Sequence, residues 1–352
     1  VDVIVGGGGV IGLSAAVEIA KTGRRVRVLE RARPMAEASW AAAGMLAAHD
    51  PDLPPELTEL ASLSLSIYPE YLGEIERLSG HRVPLRTTAA IQIVNHVGIT
   101  DHALSAEEAT ARVPGLRTKH RSFLWLEEAS LDPRDLCKAL PIAARAAGVE
   151  LLEDTQILSV TPKADLVEVT TRHGDITETL QAGAFINCCG AWAAQVQHSG
   201  LERSPAASVE PWKGQMHTVR LDPPLSLHYV LRTPEVYLVP RGDGLVVVGA
   251  TAERVGFNRD VEATATEWLR VLSADLWPPI ASAPLVESWT GLRPGTRDGL
   301  PLIGSAGQPH CWIATGHFRN GILLAPATAL IVRQMLEGET PSADLASFVP
   351  GR

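Results

Sequence analysis

Cysteine is scarce in this chain: four thiols in 352 residues, at Cys137, Cys188, Cys189 and Cys311, with no C-x-x-C pair. That count excludes a disulfide framework and predicts reduced core thiols, with Cys188 and Cys189 in a buried strand spanning Ala184 to Gly190. Long apolar runs are also missing. The longest, Ile322 to Val332, is too short to cross a bilayer and ends in Arg333. A strand expected from Val1 leaves no place for a signal peptide ahead of it, so no membrane partner and a cytoplasmic location are expected. There is no basic tract and no cluster of aromatics with lysine, which excludes a nucleic-acid partner. The formal net charge of −9 contributes solubility. The eleven histidines show no H-E-x-x-H and no ligand spacing, so no metal site is expected. His49-Asp50 has no serine or cysteine nucleophile motif to complete a triad. Internal repeats and low-complexity linkers are absent as well.

What is present is an opening with a recognisable physics. Val1 to Val5 reads as a buried strand, Leu13 to Lys21 as a helix stopped by Gly23, and Arg25 to Leu29 as a second strand closed by Glu30. Between the first two lies a G-x-G-x-x-G fingerprint, Gly7, Gly9 and Gly12, with Val10 and Ile11 inside it. The three glycines serve a tight turn, the approach of a pyrophosphate to bare backbone, and close helix–strand packing. The helix N-terminus then presents free N–H groups and a partial positive charge to the phosphates. Glu30 stands where an acid meets a ribose hydroxyl and disfavours a 2′-phosphate. The opening is a dinucleotide site.

The length predicts two domains, and 45% hydrophobic with 20% charged residues is the composition of a globular protein. Helices are expected over Glu56 to Ser79, Asp132-Pro133 to Ala147, Glu262 to Leu276 and Ile322 to Glu337. Strands are expected at Ala89 to Asn95, Ser122 to Leu126, Leu151 to Leu152, Ile157 to Thr161, Val167 to Arg172, Ala184 to Cys189 and Trp312 to Thr315. Val236 to Pro240 and Leu245 to Ala250 flank a hairpin turn at Arg241-Gly242-Asp243-Gly244. Dinucleotide-type elements sit at both ends of the chain, which points to interleaved domains. Near the C-terminus a strand again gives way to a glycine-bracketed loop and a helix, Gly316 to Ile322, whose N-terminus can stabilise charge on a bound ring. Arg293, within Gly291-Leu292-Arg293-Pro294-Gly295-Thr296, and Arg319 can each hold a carboxylate by a bidentate fork.

With these residues in view, the chain resembles the flavin-dependent amine oxidases of the D-amino acid oxidase family, and most closely the glycine oxidases of thiamine synthesis. The landmarks are Gly7 to Gly12, Ala38-Ser39-Trp40-Ala41-Ala42-Ala43-Gly44-Met45-Leu46, Lys213-Gly214-Gln215-Met216, Gly291 to Thr296, and Gly316 to Pro326. The resemblance spans essentially the whole chain. It implies a mixed α/β fold: a Rossmann-like FAD-binding domain (1–80, 131–205, 294–352) interleaved with a substrate domain on a mostly antiparallel sheet (81–130, 206–293). It implies non-covalent FAD as the dinucleotide, since Cys311 matches no attachment position.

By the same resemblance, Glu30 and Arg31 hold the adenosine ribose and Ile157 approaches the adenine. Ala38, Ser39, Ala43, Gly44 and Met45 line the stretch from pyrophosphate to flavin, and Gly190 joins the cofactor wall. The loop His317, Phe318, Arg319, Asn320, Gly321, Ile322 and Leu323 covers the flavin ring. Arg293 grips the substrate carboxylate, aided by Tyr237 and Arg319. In one glycine oxidase of this type a histidine stands two places before the pocket tyrosine and a methionine follows the Gly-Ala-Thr turn. Here these are Glu235 and Ala252, an acid able to attract an amine and a smaller side chain able to widen the pocket. The implied activity is oxidation of glycine or a small or N-substituted amino acid by hydride transfer to the flavin. The products are an imine, then a 2-oxo acid with amine or ammonia, and hydrogen peroxide from oxygen, in a homo-oligomer. The alternatives are a dehydrogenase passing electrons to another carrier, and a flavin-binding protein without turnover. The residues leave other readings open: a structural Arg293 paired with Asp298 or Glu287, a half-buried Tyr237 that only packs, and a His317 acting as base or as donor to the flavin. Trp40, Trp192, Trp212 and Trp289 are expected to pack in the core.

Overall fold

The structure, a computed structural model, describes residues 1–94 and 102–352. Asn95, expected at the end of a strand, lies outside the described residues. The apolar opening forms the strand Val3–Gly6, parallel to Val26–Leu29 on one side and Ala184–Asn187 on the other. The full sheet runs Leu302–Ser305, Cys311–Thr315, Ala184–Asn187, Val3–Gly6, Val26–Leu29, Glu150–Leu152. Only its first pair is antiparallel. Alternation along the strands sorts the two faces. Val3, Val5, Val26 and Val28 enter a core built with the helices Val10–Ala20, Thr58–Ser79, Pro133–Ala146 and Gly321–Glu337. Ile4 and Leu29 point the other way, to Ile157, Val160 and Val169 of a smaller sheet. That sheet runs Ile176–Ala182, Val167–His173, Gln156–Pro162, Gln197–His198.

A second large sheet has eight strands, ordered Leu285–Gly295, Glu210–Arg220, Leu245–Gly249, Tyr237–Gly242, Val230–Arg232, Ala90–Val94, Ser122–Leu126, Ala103–Leu104. Every pairing is antiparallel except Val230–Arg232 with Ala90–Val94. Its back carries the helices Ala263–Leu276 and Ala106–Arg112, through Leu269, Leu276 and Ala109. Its front, with Met216, Tyr237, Val239 and Trp289, packs on Ala41 and Ala43 from the dinucleotide side. The expected mixed α/β architecture is therefore present, with the front of the antiparallel sheet turned toward the glycine-rich turn.

Some local expectations shift. The first helix starts at Val10, not Leu13, because Ser39 Oγ accepts the Val10 N–H at 2.9 Å and supports the first turn. The strand Ile176–Ala182 escapes a periodicity reading, since its outer residues are exposed and carry no apolar alternation. It forms as the edge partner of Val167–His173 across the turn at Gly174. The strand from Ala184 stops at Asn187, two residues short, as the chain bends into the short helix Gly190–Gln195 with Gly190 at φ +55°.

Candidate active site

Between the parallel sheet and the front of the antiparallel one lies an elongated cavity with about 1730 Å³ of empty space, part of it open to solvent. One end is built by the opening motif. Gly7 sits at φ +97°, where a Cβ would stand 2.4 Å from the Cys188 carbonyl oxygen, and a Cβ on Gly12 would stand 1.9 Å from that of Gly7. Gly9 differs: a Cβ there meets only Ser39 Oγ, at 3.4 Å, so the protein itself does not demand a glycine. Its bareness fits a ligand lying against the backbone. The buried Glu30 carboxylate accepts the N–H groups of Gly8 at 2.8 Å and Ala32 at 3.0 Å. Burial raises its pKa, and those two hydrogen bonds oppose the rise. Arg31 pairs with Glu37 at 2.7 Å and lies 3.5 Å over the Trp192 ring.

The other end is walled by the C-terminal loop and the antiparallel sheet. Phe318 takes φ +47°, and its N–H donates to the Pro294 carbonyl at 2.8 Å, which fixes the loop over the Arg293 segment. His317 is buried, with Nε2 3.0 Å from Thr328 Oγ1 and Nδ1 without a hydrogen-bond partner among the described residues. Burial pushes its pKa down to about 3, so the ring is neutral. Gly321 and Ile322 place the N-terminus of a 17-residue helix at the cavity wall.

Arg293 is half-buried and donates NH1 to the Thr251 carbonyl at 2.9 Å. Asp298 pairs instead with Arg352 and Glu287 with Arg134, so neither acid neutralises it. Its guanidinium lies flat on Gly214, where a Cβ would come within 2.3 Å of NH1. The Tyr237 phenol lies over Gly249 in the same way, 2.5 Å from a Cβ built there. Burial raises the phenol's pKa against the pull of Arg293 and Arg319, so it is un-ionised. Desolvation lowers that of Arg293, and Arg319 adds to this as a second cation nearby.

Every expected site residue borders this cavity except Gly12, packed under the turn, and Leu323, turned into the helical core. Arg293, Tyr237 and Arg319 come together; Arg319 is itself exposed. Two sequence expectations need correction. Glu235 and Ala252 are exposed and neither borders the cavity, because Glu235 precedes the inward-turning strand and Ala252 follows Thr251 out of the sheet. Trp192, expected in the core, lines the cavity beneath Arg31. The wall also holds Cys188, Cys189, Asp50 and Met216, of which Met216 alone falls within a sequence landmark, Lys213 to Met216. Burial raises the pKa of both thiols, so they act as apolar wall.

Residues 2–335 match the model of the FAD dependent oxidoreductase (DAO) family. The chain belongs to that family. It is an FAD-dependent oxidoreductase, and the bare Gly9, the Glu30 carboxylate and the unpartnered His317 Nδ1 fit the cofactor. Among relatives, the glycine oxidase of Pseudomonas aeruginosa is 33% identical over 366 residues, covering 99% of this chain and 98% of its own. The bifunctional protein ThiO/ThiG of Synechocystis sp. is 32% identical over 369 residues, and the chain spans 54% of its length. The crystal structure of glycine oxidase from Geobacillus kaustophilus superposes with a TM-score of 0.91 at 31% identity, over 100% of this chain and 98% of that one. Iminodiacetate oxidase from Chelativorans sp. BNC1 shares the fold, with a TM-score of 0.85 at 23% identity over 99% and 98%.

Proposed function

We propose that this oxidoreductase oxidises glycine or a small N-substituted glycine. One observation carries the reading. Arg293, laid on Gly214 beside the Tyr237 phenol, opens to the cavity with no carboxylate partner among the described residues. A guanidinium held so rigidly, with Arg319 near it, offers a bidentate seat for a substrate carboxylate. Seating the carboxylate there fixes the Cα–H and the amine against the cofactor side of the cavity. The apolar wall of Met45, Ala47 and Met216 favours the neutral amine, the form from which hydride can leave. The FAD held along this cavity would supply the hydride acceptor and the route for two electrons to oxygen, with peroxide as product. His317 stays neutral, with Nε2 held by Thr328 and Nδ1 free to hydrogen-bond the cofactor. It is a positioning group, and no general base is required.

The same proposal includes the division into an FAD domain (1–80, 131–205, 294–352) and a substrate domain (81–130, 206–293), non-covalent FAD, oxygen as acceptor, a homo-oligomer and a cytoplasmic location. Kinship with the ThiO/ThiG proteins supports the thiamine-synthesis role that the sequence resemblance implies. Among the described residues no helix is long and apolar enough to cross a membrane. The test is the visible spectrum of the purified protein, followed anaerobically as glycine, sarcosine or D-alanine is added. Bleaching by the glycine-type substrates is expected, with peroxide formed on readmission of air. Arg293→Ala should retain FAD and raise KM roughly 10- to 100-fold, the worth of a hydrogen bond to a charged group. Unchanged saturation in that variant overturns the assignment.

A further inference from the structure

Asp50 borders the cavity, yet none of the roles assigned above uses it. Its position follows from its partners. Arg232 lies directly opposite Tyr237 in the antiparallel pairing of Val230–Arg232 with Tyr237–Gly242, so both side chains leave the same face of the sheet. The Arg232 Nε stands 3.5 Å from Asp50 Oδ2, which places Asp50 at the Tyr237 end of the cavity, away from Glu30.

Arg232 is 1% exposed and serves two acids at once. Its NH2 is 3.1 Å from Glu128 Oε2, and its Nε also donates to Gln92 Oε1. Glu128 is buried, and its other oxygen accepts the His49 N–H at 2.8 Å. One guanidinium therefore faces two carboxylates. Burial raises the Glu128 pKa, and Asp50 pushes it the same way. Of the two acids only Asp50 reaches the cavity, where it holds one backbone N–H, from Asp52 at 3.0 Å, and its loose contact with Arg232. The substrate end thus carries positive charge at Arg293 and Arg319 and a fixed acid at Asp50.

We infer that Asp50 sets the substrate class: an amino acid with one carboxylate for Arg293 and a neutral or cationic remainder, with a second carboxylate rejected. The inference rests on the reading of Arg293 as the carboxylate seat. A like charge facing the incoming group disfavours it, and removing that charge relaxes specificity without touching the seat.

The test uses the FAD-loaded protein, wild type and Asp50→Asn, with FAD content checked by absorbance. Dissociation constants for acetate and malonate are read from perturbation of the visible spectrum, and kcat/KM is compared for sarcosine and iminodiacetate. In Asp50→Asn the malonate/acetate and iminodiacetate/sarcosine preferences should each shift toward the dicarboxylate by about ten-fold or more. Asp50→Ser, which removes the charge with a different side chain, should shift them in the same direction. Ratios within two-fold of wild type in both variants, with acetate still bound, overturn the inference and leave the proposed function standing. No spectral response to any carboxylate or amino acid overturns the proposed function and the inference with it.

Discussion

Gly214 is a residue whose value lies in what it omits. Its neighbours Lys213 and Gln215 turn to the back of the sheet, to Glu262 and Thr266, and its own bare Cα becomes the platform for Arg293. In Gly214→Ala the new Cβ meets guanidinium atoms at 2.3 to 2.4 Å, and the arginine must leave its seat. FAD content should hold, while KM for the amino acid rises roughly 10-fold or more and kcat changes less. Combining Gly214→Ala with Arg293→Ala should add little to the single arginine variant, because both act through one contact. Additive losses would show that Gly214 serves the fold and not the clamp. The sequence makes Arg293 legible through its glycine-flanked loop, but not the platform. Gly214 lies 79 positions away, and only the pairing of Gly214 with Gly291 across two strands brings the segments together. Asp50 and Trp192 are hidden for the same reason, since each gains its role from a partner supplied by a distant strand or loop.

Elements were more readable than sites, because periodicity and caps are local. The Asp132-Pro133 start is one case: the Asp132 carboxylate accepts the Arg134 N–H at 2.9 Å, and the helix runs Pro133–Ala146. What periodicity hid is how the last helix, Gly321–Glu337, survives Pro326 in its second turn. Pro326 has no N–H, so the Ile322 carbonyl loses its partner four residues on. Tyr68 donates its hydroxyl to that carbonyl instead. Ser64, one turn before Tyr68, donates to the Leu323 carbonyl at 2.6 Å and accepts the Ala327 N–H at 3.3 Å. One face of the helix Thr58–Ser79 therefore repairs the proline gap in the helix whose N-terminus borders the FAD site. Tyr68→Phe leaves a buried carbonyl unsatisfied, a loss of about 1–3 kcal/mol. It should lower the urea midpoint and also weaken FAD retention on dilution, since the loosened turn carries Gly321 and Ile322. A destabilised variant that holds FAD as tightly as wild type would separate the repair from the site.

At the scale of the whole molecule, three buried histidines among the described residues, in three different layers, contribute to the response to acid. His198 lies in the last strand of the smaller sheet, His217 under the helix Ala263–Leu276, and His317 at the cavity. Burial lowers all three pKa values, to about 4 for His217, whose two ring nitrogens have no hydrogen-bond partner among the described residues, and about 3 for His317. Each is neutral in the fold but takes up a proton near pH 6.5 once unfolded. Between that pH and the folded value the unfolded chain binds more protons, so stability falls as the pH falls. Glu30 and Glu128 act in the opposite sense, because burial raises their pKa values and the fold accepts their protons first. His217 isolates the histidine contribution, since it stands apart from the FAD cavity in a small pocket with Val219, Ile280 and Ala283, where the Arg270 charge adds to the lowering by burial. His217→Leu removes the titration and suits those apolar neighbours. Urea unfolding of the FAD-loaded protein at pH 7, 6 and 5 should show wild-type stability declining with acid. The variant should decline less steeply, by up to ~1.4 kcal/mol per pH unit below pH 6.5. Parallel declines would mean that His217 is protonated in the fold, with an acid such as the neighbouring Glu267 satisfying it.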